Sequence, residues 1–144
     1  MTASRLKSGG RIDRTKIIKF TWDDRELCGH SGDTLASALL ANNQKIIGRS
    51  FKYHRPRGIT SSGVEESGAI VTIGKGARKE VNVRATTQEL YHKLSATGQN
   101  AWPNVRFDFG SISNYFSKFL GAGFYYKTFM GIPPFEWGRG TQIW

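Results

Sequence analysis

No regular run in residues 16–85 exceeds seven residues, and this shortness leaves few folds open. Lys16-Ile-Ile-Lys-Phe-Thr-Trp22 is β-prone, Asp23-Asp24 is a turn signal, and Arg25-Glu-Leu-Cys-Gly29 returns as a second short strand. Together they predict an opening hairpin. In Leu35-Ala-Ser-Ala-Leu-Leu-Ala41, Leu35, Ala38 and Leu39 recur at helical spacing. Asp33 or Thr34 can cap the exposed amides of that helix, and Asn42-Asn43 closes it. Lys45-Ile-Ile-Gly48 is a short apolar return, and residues 49–66 read as a loop broken by Pro56, Gly58 and Gly63. Ala69-Ile-Val-Thr-Ile73 has the composition of a buried strand, residues 74–77 of a turn, and Val81-Asn-Val-Arg-Ala85 of another strand. The order hairpin, helix, long loop, strand, strand predicts an α+β chain: a small mixed sheet crossed by one helix, the β-grasp arrangement.

Composition bounds the rest. A length of 144 residues allows one domain, or one small domain with an appendage. Hydrophobic residues at 38% and charged residues at 22% are unlike a disordered chain. No apolar run approaches the ~20 residues of a membrane span, so no membrane role is expected. Residues 1–13 are polar and basic with no apolar stretch behind them, unlike a secretory signal. A single cysteine, Cys28, excludes an internal disulfide and a thiolate-rich metal site, and a reducing compartment, the cytoplasm, is expected.

Charge and aromatics are both unevenly placed. The net charge of +10 predicts an anionic partner, whether nucleic acid, membrane surface, acidic protein or phosphorylated cofactor. Cations crowd the start of the chain, and no acid occurs in residues 34–64. Of 18 Phe, Trp and Tyr residues, 12 lie in residues 107–144. The shift predicts three parts: a basic N-terminal arm over 1–15, a β-grasp domain over 16–98, and an aromatic and glycine-rich extension over 99–144. In the extension Ile112, Tyr115, Phe116 and Phe119 can form one stripe before Gly121 and Gly123 interrupt it. Twelve aromatics are expected to dock on other domains or subunits, because a sheet of short strands offers little area for so many rings.

A catalytic centre is hard to assemble from these residues. His30, His54 and His92 are far apart in sequence and lack metal-ligand spacing, and Cys28 on a strand reads as a buried, inert thiol. No nucleophile elbow and no dinucleotide-binding glycine motif occurs. The most unusual stretch is Gly48-Arg-Ser-Phe-Lys-Tyr-His-Arg-Pro-Arg-Gly58, where cations alternate with aromatics. Arg49, Lys52, Arg55 and Arg57 can fork onto phosphate or carboxylate, and Phe51 and Tyr53 can stack on a planar ring. The stretch is therefore a candidate anion-contact or interface loop. Equally, it can be an ordered loop whose cations pair with acids of a neighbouring domain.

Several blocks carry a resemblance. Ser8-Gly-Gly-Arg-Ile-Asp-Arg14, Gly32-Asp-Thr-Leu-Ala-Ser-Ala-Leu-Leu-Ala41, the loop from Gly48 to Gly58, Gly63-Val-Glu-Glu66, Asn82-Val-Arg-Ala-Thr-Thr87 and Ala122-Gly-Phe-Tyr-Tyr-Lys-Thr-Phe-Met130 are similar to the N-terminal part of the alpha subunits of heterotetrameric sarcosine oxidases. The resemblance implies a β-grasp domain related to plant-type [2Fe–2S] ferredoxins at the start of a longer subunit. It implies partners in the remainder of the alpha subunit and in beta, gamma and delta subunits. It also implies an assembly that oxidises sarcosine, passes a one-carbon unit to tetrahydrofolate or releases formaldehyde, and makes hydrogen peroxide. NAD, FAD and FMN belong to that whole complex, and no cofactor is expected in this segment. The last residues, Glu136-Trp-Gly-Arg-Gly-Thr-Gln-Ile-Trp144, lie outside the resembling blocks, and the chain reads as a fragment, a truncated gene product or a separately encoded piece.

The ferredoxin relation meets one obstacle. Its C-x4-C-x2-C spacing and later fourth cysteine fall near Ser61, Glu66, Ala69 and Thr86, within about one residue. None is a cysteine, and hydroxyl or methyl groups cannot replace soft thiolates. Electron transfer through this segment is not expected, and an assembly role is. A small basic nucleic-acid-binding domain is the competing reading, disfavoured because it accounts for the charge but not for the blocks. Binding that falls steeply with salt is its signature.

Overall fold

The computed structural model describes residues 5–116. β1 (Asp13–Trp22) and β2 (Arg25–Ser31) form the expected antiparallel hairpin, turning at Asp23 and Asp24, both at positive φ. Two consecutive left-handed residues suit a two-residue hairpin turn, and aspartate tolerates that region better than most side chains. Helix α1 (Leu35–Ala41) occupies the run expected of it. Thr34 is its N-cap: the Thr34 hydroxyl accepts from the Ser37 amide, and the Ser37 hydroxyl accepts from the Thr34 amide. That reciprocal pair satisfies amides that a seven-residue helix cannot pair internally. The next two amides are also matched, Leu35 donating to the Gln88 carbonyl and Ala36 to the Ala85 carbonyl.

β3 (Gly48–Arg49) and β4 (Pro56–Arg57) pair antiparallel as a separate miniature ladder. The sequence reads this region as loop, because each strand is two residues long and Pro56 has no N–H to extend the ladder. β5 (Ile70–Ile73), β6 (Glu80–Arg84) and β7 (Ser95–Gly98) complete the main sheet, whose order is β2-β1-β7-β5-β6. β1 and β7 run parallel and the other neighbours antiparallel, so the sheet is mixed, as the β-grasp reading requires.

Helix α1 turns Leu35, Ala38 and Leu39 toward the sheet, where they meet Phe20, Trp22, Val71 and Ala96 in one buried cluster. In β1 burial alternates: Phe20 and Trp22 face the core, while Lys19 faces solvent and pairs with Glu26 at 2.9 Å. The core does not stop at residue 98. Val105 is fully buried in the same cluster and Ala101 packs against it, held by Asp23, whose carboxylate accepts from the Gly98 and Val105 amides at 3.1 and 3.3 Å. No described helix is long and apolar enough to cross a membrane.

One expectation is overturned. Cys28 is exposed, not buried. Its register partner is Lys19 on the solvent face of the hairpin, whereas Leu27 opposes core residue Phe20. The two-residue period of a strand therefore sends the thiol outward. We expect a thiol reagent such as a disulfide dye to label one cysteine per native chain, without denaturant and at a rate close to that of a small exposed thiol. Labelling that appears only on unfolding contradicts this placement.

Candidate functional site

Two places could carry function: the loop where ferredoxin ligands would fall, and the cation-rich hairpin. The first is organised by a carboxylate. Glu66 is 2% exposed. Its Oε2 accepts from the Thr60 and Ser61 amides, both at 2.7 Å. Its Oε1 accepts from the Thr60 hydroxyl at 2.9 Å, the Gly68 amide at 2.5 Å and the Ala69 amide at 3.0 Å. Burial alone would push this carboxyl up. The amides of Ser61, Ala69, Gly68 and Thr60 outweigh that and bring it from an ordinary 4.5 to about 2. Gly68 is required here, because a Cβ would run into the Gly58 carbonyl oxygen.

The structure thus brings together the four positions that the ferredoxin spacing marks. Ser61 and Ala69 donate to Glu66, and Thr86, itself buried, donates from its hydroxyl to the Gly63 carbonyl of the same loop at 2.8 Å. The donor chemistry does not fit an iron–sulfur cluster. No thiolate is present at any of the four, a single carboxylate fills the centre, and Ser61 Oγ is left buried without a hydrogen-bond partner. Among the described residues no group of three or more His, Cys, Asp and Glu could hold a metal ion.

The second place is the tip of the β3–β4 ladder. Pro56 ends the ladder, and the Ser50 amide closes the tip by donating to the Arg55 carbonyl at 2.9 Å. Arg49 is not free for a ligand: its side chain is 11% exposed. Its guanidinium donates to the carbonyls of Val105 at 3.0 Å and His54 at 2.9 Å, and lies 3.6 Å from the Asp108 carboxylate. Asp108 is buried and is the anchor of this corner. It meets His54 Nδ1 at 2.8 Å and accepts the Trp102 and Gly110 amides, each at 3.0 Å. Burial raises the Asp108 carboxyl, but the Trp102 amide, His54 and the Gly110 amide outweigh it and hold the group below its ordinary range. Gly110 lies under the His54 ring, where any Cβ would collide with the imidazole.

The other cations face outward. Arg55 and Arg57 are exposed, and Phe51 is 56% exposed. Lys52 Nζ and the Arg55 guanidinium sit 5.1 and 4.9 Å from the Tyr53 ring centre, within cation–π reach. Arg55 also reaches the Asn114 side chain at 3.4 Å, and the Ser113 hydroxyl reaches the Lys52 carbonyl at 3.3 Å. Residues 102–116 therefore pack beside the hairpin and present a second surface. Trp102, Phe107 and Phe109 are exposed, with Trp102 tilted against Phe109 at 5.2 Å and Phe107 edge-on to Phe109 at 5.1 Å between centroids, and Ile112, Tyr115 and Phe116 are exposed after them. Of the stripe expected in the extension, Phe119 lies outside the described residues, as do Gly121, Gly123, residues 122–130 and residues 136–144.

Asp33 forms a third anchor, absent from the sequence reading except as a possible helix cap. It is buried and takes both Arg5 guanidinium nitrogens, at 3.0 and 2.7 Å, the His30 amide at 2.8 Å and the Ser37 hydroxyl at 2.7 Å. Asp23, Asp33, Glu66 and Asp108 all turn inward onto the chain's own donors. Asp33 and Asp108 draw Arg5 and Arg49 inward with them, whereas Asp23 is met by amides and Glu66 by amides and one hydroxyl.

The chain is similar to several known proteins. The family profile described as "2Fe-2S iron-sulfur cluster binding domain" matches residues 15–101. The chain is 55% identical over 134 residues to the sarcosine oxidase subunit alpha of Rhizobium meliloti (strain 1021), covering 93% of this chain and 14% of that one. It is 41% identical over 93 residues to the sarcosine oxidase subunit alpha of Corynebacterium sp. (strain U-96), covering 62% of this chain and 10% of the relative. For the same subunit of Corynebacterium sp. (strain P-1) the identity is 44% over 90 residues, covering 60% and 9%. The chain spans no more than 14% of the length of these relatives. The crystal structure of L-proline dehydrogenase from P. horikoshii is similar with a TM-score of 0.46 at 22% identity, over 64% of this chain and 17% of that one.

Proposed function

The chain belongs to the 2Fe-2S iron–sulfur cluster binding domain family, and on that premise we propose that it is the structural, non-electron-carrying domain of a sarcosine oxidase alpha subunit. The observation that carries this reading is 55% identity to such a subunit over 93% of the chain. The assembly it serves oxidises sarcosine to glycine, hands a one-carbon unit to tetrahydrofolate and produces hydrogen peroxide. NAD, FAD, FMN and tetrahydrofolate are bound by other parts of that heterotetramer, in the cytoplasm. This domain contributes shape and contacts rather than chemistry.

The docking surface is the outward side of the hairpin together with the aromatic shelf beside it. Arg55 and Arg57 supply charge, Lys52 and Arg55 flank Tyr53, and Phe51, Trp102, Phe107 and Phe109 supply apolar area. Arginine and aromatic side chains are the residue types that dominate binding energy at protein interfaces. Their partner is an acidic, partly apolar face of the remaining alpha subunit or of the beta, gamma or delta subunits. The extension over 99–144, with its aromatics, serves the same docking.

The test is assembly. In the complete enzyme, Arg55→Ala combined with Arg57→Ala is expected to weaken subunit association by roughly tenfold or more. Native mass spectrometry or analytical ultracentrifugation across a dilution series reads it. Unchanged association together with unchanged oxidase turnover refutes the docking role of this loop.

A further inference from the structure

We propose that Glu66 is a built-in replacement for the family's cluster: its carboxylate occupies the amide-lined seat of an anionic centre and holds the loop closed without metal. Cradles of backbone N–H groups stabilise anions, and iron–sulfur centres are among those they accommodate. In this chain the Thr60, Ser61, Gly68 and Ala69 amides converge on one point, from both arms of the loop that carries the ligand spacing. Such a cradle cannot stand empty, because buried donors without an acceptor are costly.

The choice of occupant follows from charge and reach. Glu66 answers the donors with both oxygens and lies at a ligand position itself. Among the described residues it forms no ion pair, so amide dipoles and one hydroxyl do all the compensating, as they would around a cluster. The fourth ligand position is treated in the same way. Thr86 tethers the loop through its hydroxyl to the Gly63 carbonyl, supplying by a hydrogen bond the cross-link that a metal–sulfur bond makes elsewhere. A corollary follows. Removing the Glu66 side chain exposes an anion seat sized for a small carboxylate.

The experiment uses the full 144-residue chain. Glu66→Ala is expected to lower the thermal midpoint by roughly 10 °C or more. Formate, at constant ionic strength against chloride, is expected to restore much of that loss saturably, while leaving the wild-type midpoint unmoved. Glu66→Gln keeps the volume but turns an N–H2 toward donors, so it is expected to lose stability without recovering in formate. In the wild type, the amides of Thr60, Ser61, Gly68 and Ala69 are expected to exchange slowly with deuterium although they lie outside any strand, a readout that needs no folded variant. Incubation of the wild type with ferrous iron and sulfide under reducing conditions is expected to give no visible absorption band. The proposal is overturned by a Glu66→Ala or Glu66→Gln chain as stable as the wild type, by formate acting no better than chloride on a folded Glu66→Ala chain, by fast exchange of the four wild-type amides, or by a reconstituted cluster in the wild type.

Discussion

Truncating Asp108 to alanine is expected to cost the fold about 3–5 kcal/mol, the range for removing one partner of a buried ion pair. The carboxylate holds four groups at once: the Arg49 guanidinium, the His54 ring, and the Trp102 and Gly110 amides. Arg49 is pinned to the Val105 and His54 carbonyls and Gly110 sits against the imidazole, so neither can turn to solvent without breaking other contacts. The substitution therefore strands a buried cation and two amides together. Denaturant titration of wild type and variant reads the loss as a fall in midpoint. Hydrogen exchange should show the hairpin tip and residues 102–114 loosening as one unit, with helix α1 unaffected. Asp108→Asn keeps an acceptor for the amides and is expected to cost less than alanine. A change below about 1 kcal/mol for alanine would mean that Asp108 is no anchor.

Acid is expected to unfold the chain through its buried carboxylates. Glu66, Asp33 and Asp108 all ionise more readily in the folded state than in an unfolded chain. A carboxylate with a depressed folded value contributes stability that is fully present above its unfolded value and is lost as pH falls toward the folded one. For Glu66 that window runs from 4.5 down to about 2. Its depression alone corresponds to stabilisation on the order of 3 kcal/mol above the window. For Asp33 burial opposes the effect, and Arg5, Ser37 and the His30 amide more than offset it. These groups predict stability that is level above pH 5 and falls steeply below pH 4.5. Urea midpoints between pH 7 and pH 2.5 measure it, and Glu66→Gln should remove a large share of the slope. Stability that rose on acidification, or a slope untouched by that substitution, would contradict the assigned directions.

The parts of this fold that sequence reveals are those encoded by neighbours in the chain. The β1–β2 hairpin follows from β-prone runs flanking two aspartates, and α1 from apolar spacing behind a threonine cap. β5 and β6 are legible because Ile70, Val71 and Val83 sit in branched, β-prone runs. β7 is not, because Ser95-Ala-Thr-Gly98 has neither alternation nor bulk, although it is the central strand of the sheet. A central strand flanked on both sides is held by its neighbours' hydrogen bonds and needs little preference of its own. The cation-rich hairpin was visible as a composition, but the division of labour within it was not. Arg49 is drawn inward by the Val105 carbonyl and the Asp108 carboxylate, both more than fifty residues away, while Arg55 and Arg57 remain outside.

What the amino-acid order alone determined is the set of local elements and the lack of four thiolates at the ligand spacing, because both depend on residue type and short-range periodicity. What only the tertiary structure decided is where the acids go. In the sequence Asp33 is at most a helix cap, Glu66 a residue at a ligand spacing and Asp108 an unmarked acid, yet each becomes the buried hub of a different corner. The reason is geometric: backbone amides point nowhere in particular until the chain closes. Once it does, donors from separate segments converge, and a carboxylate at their meeting point is the group that satisfies them.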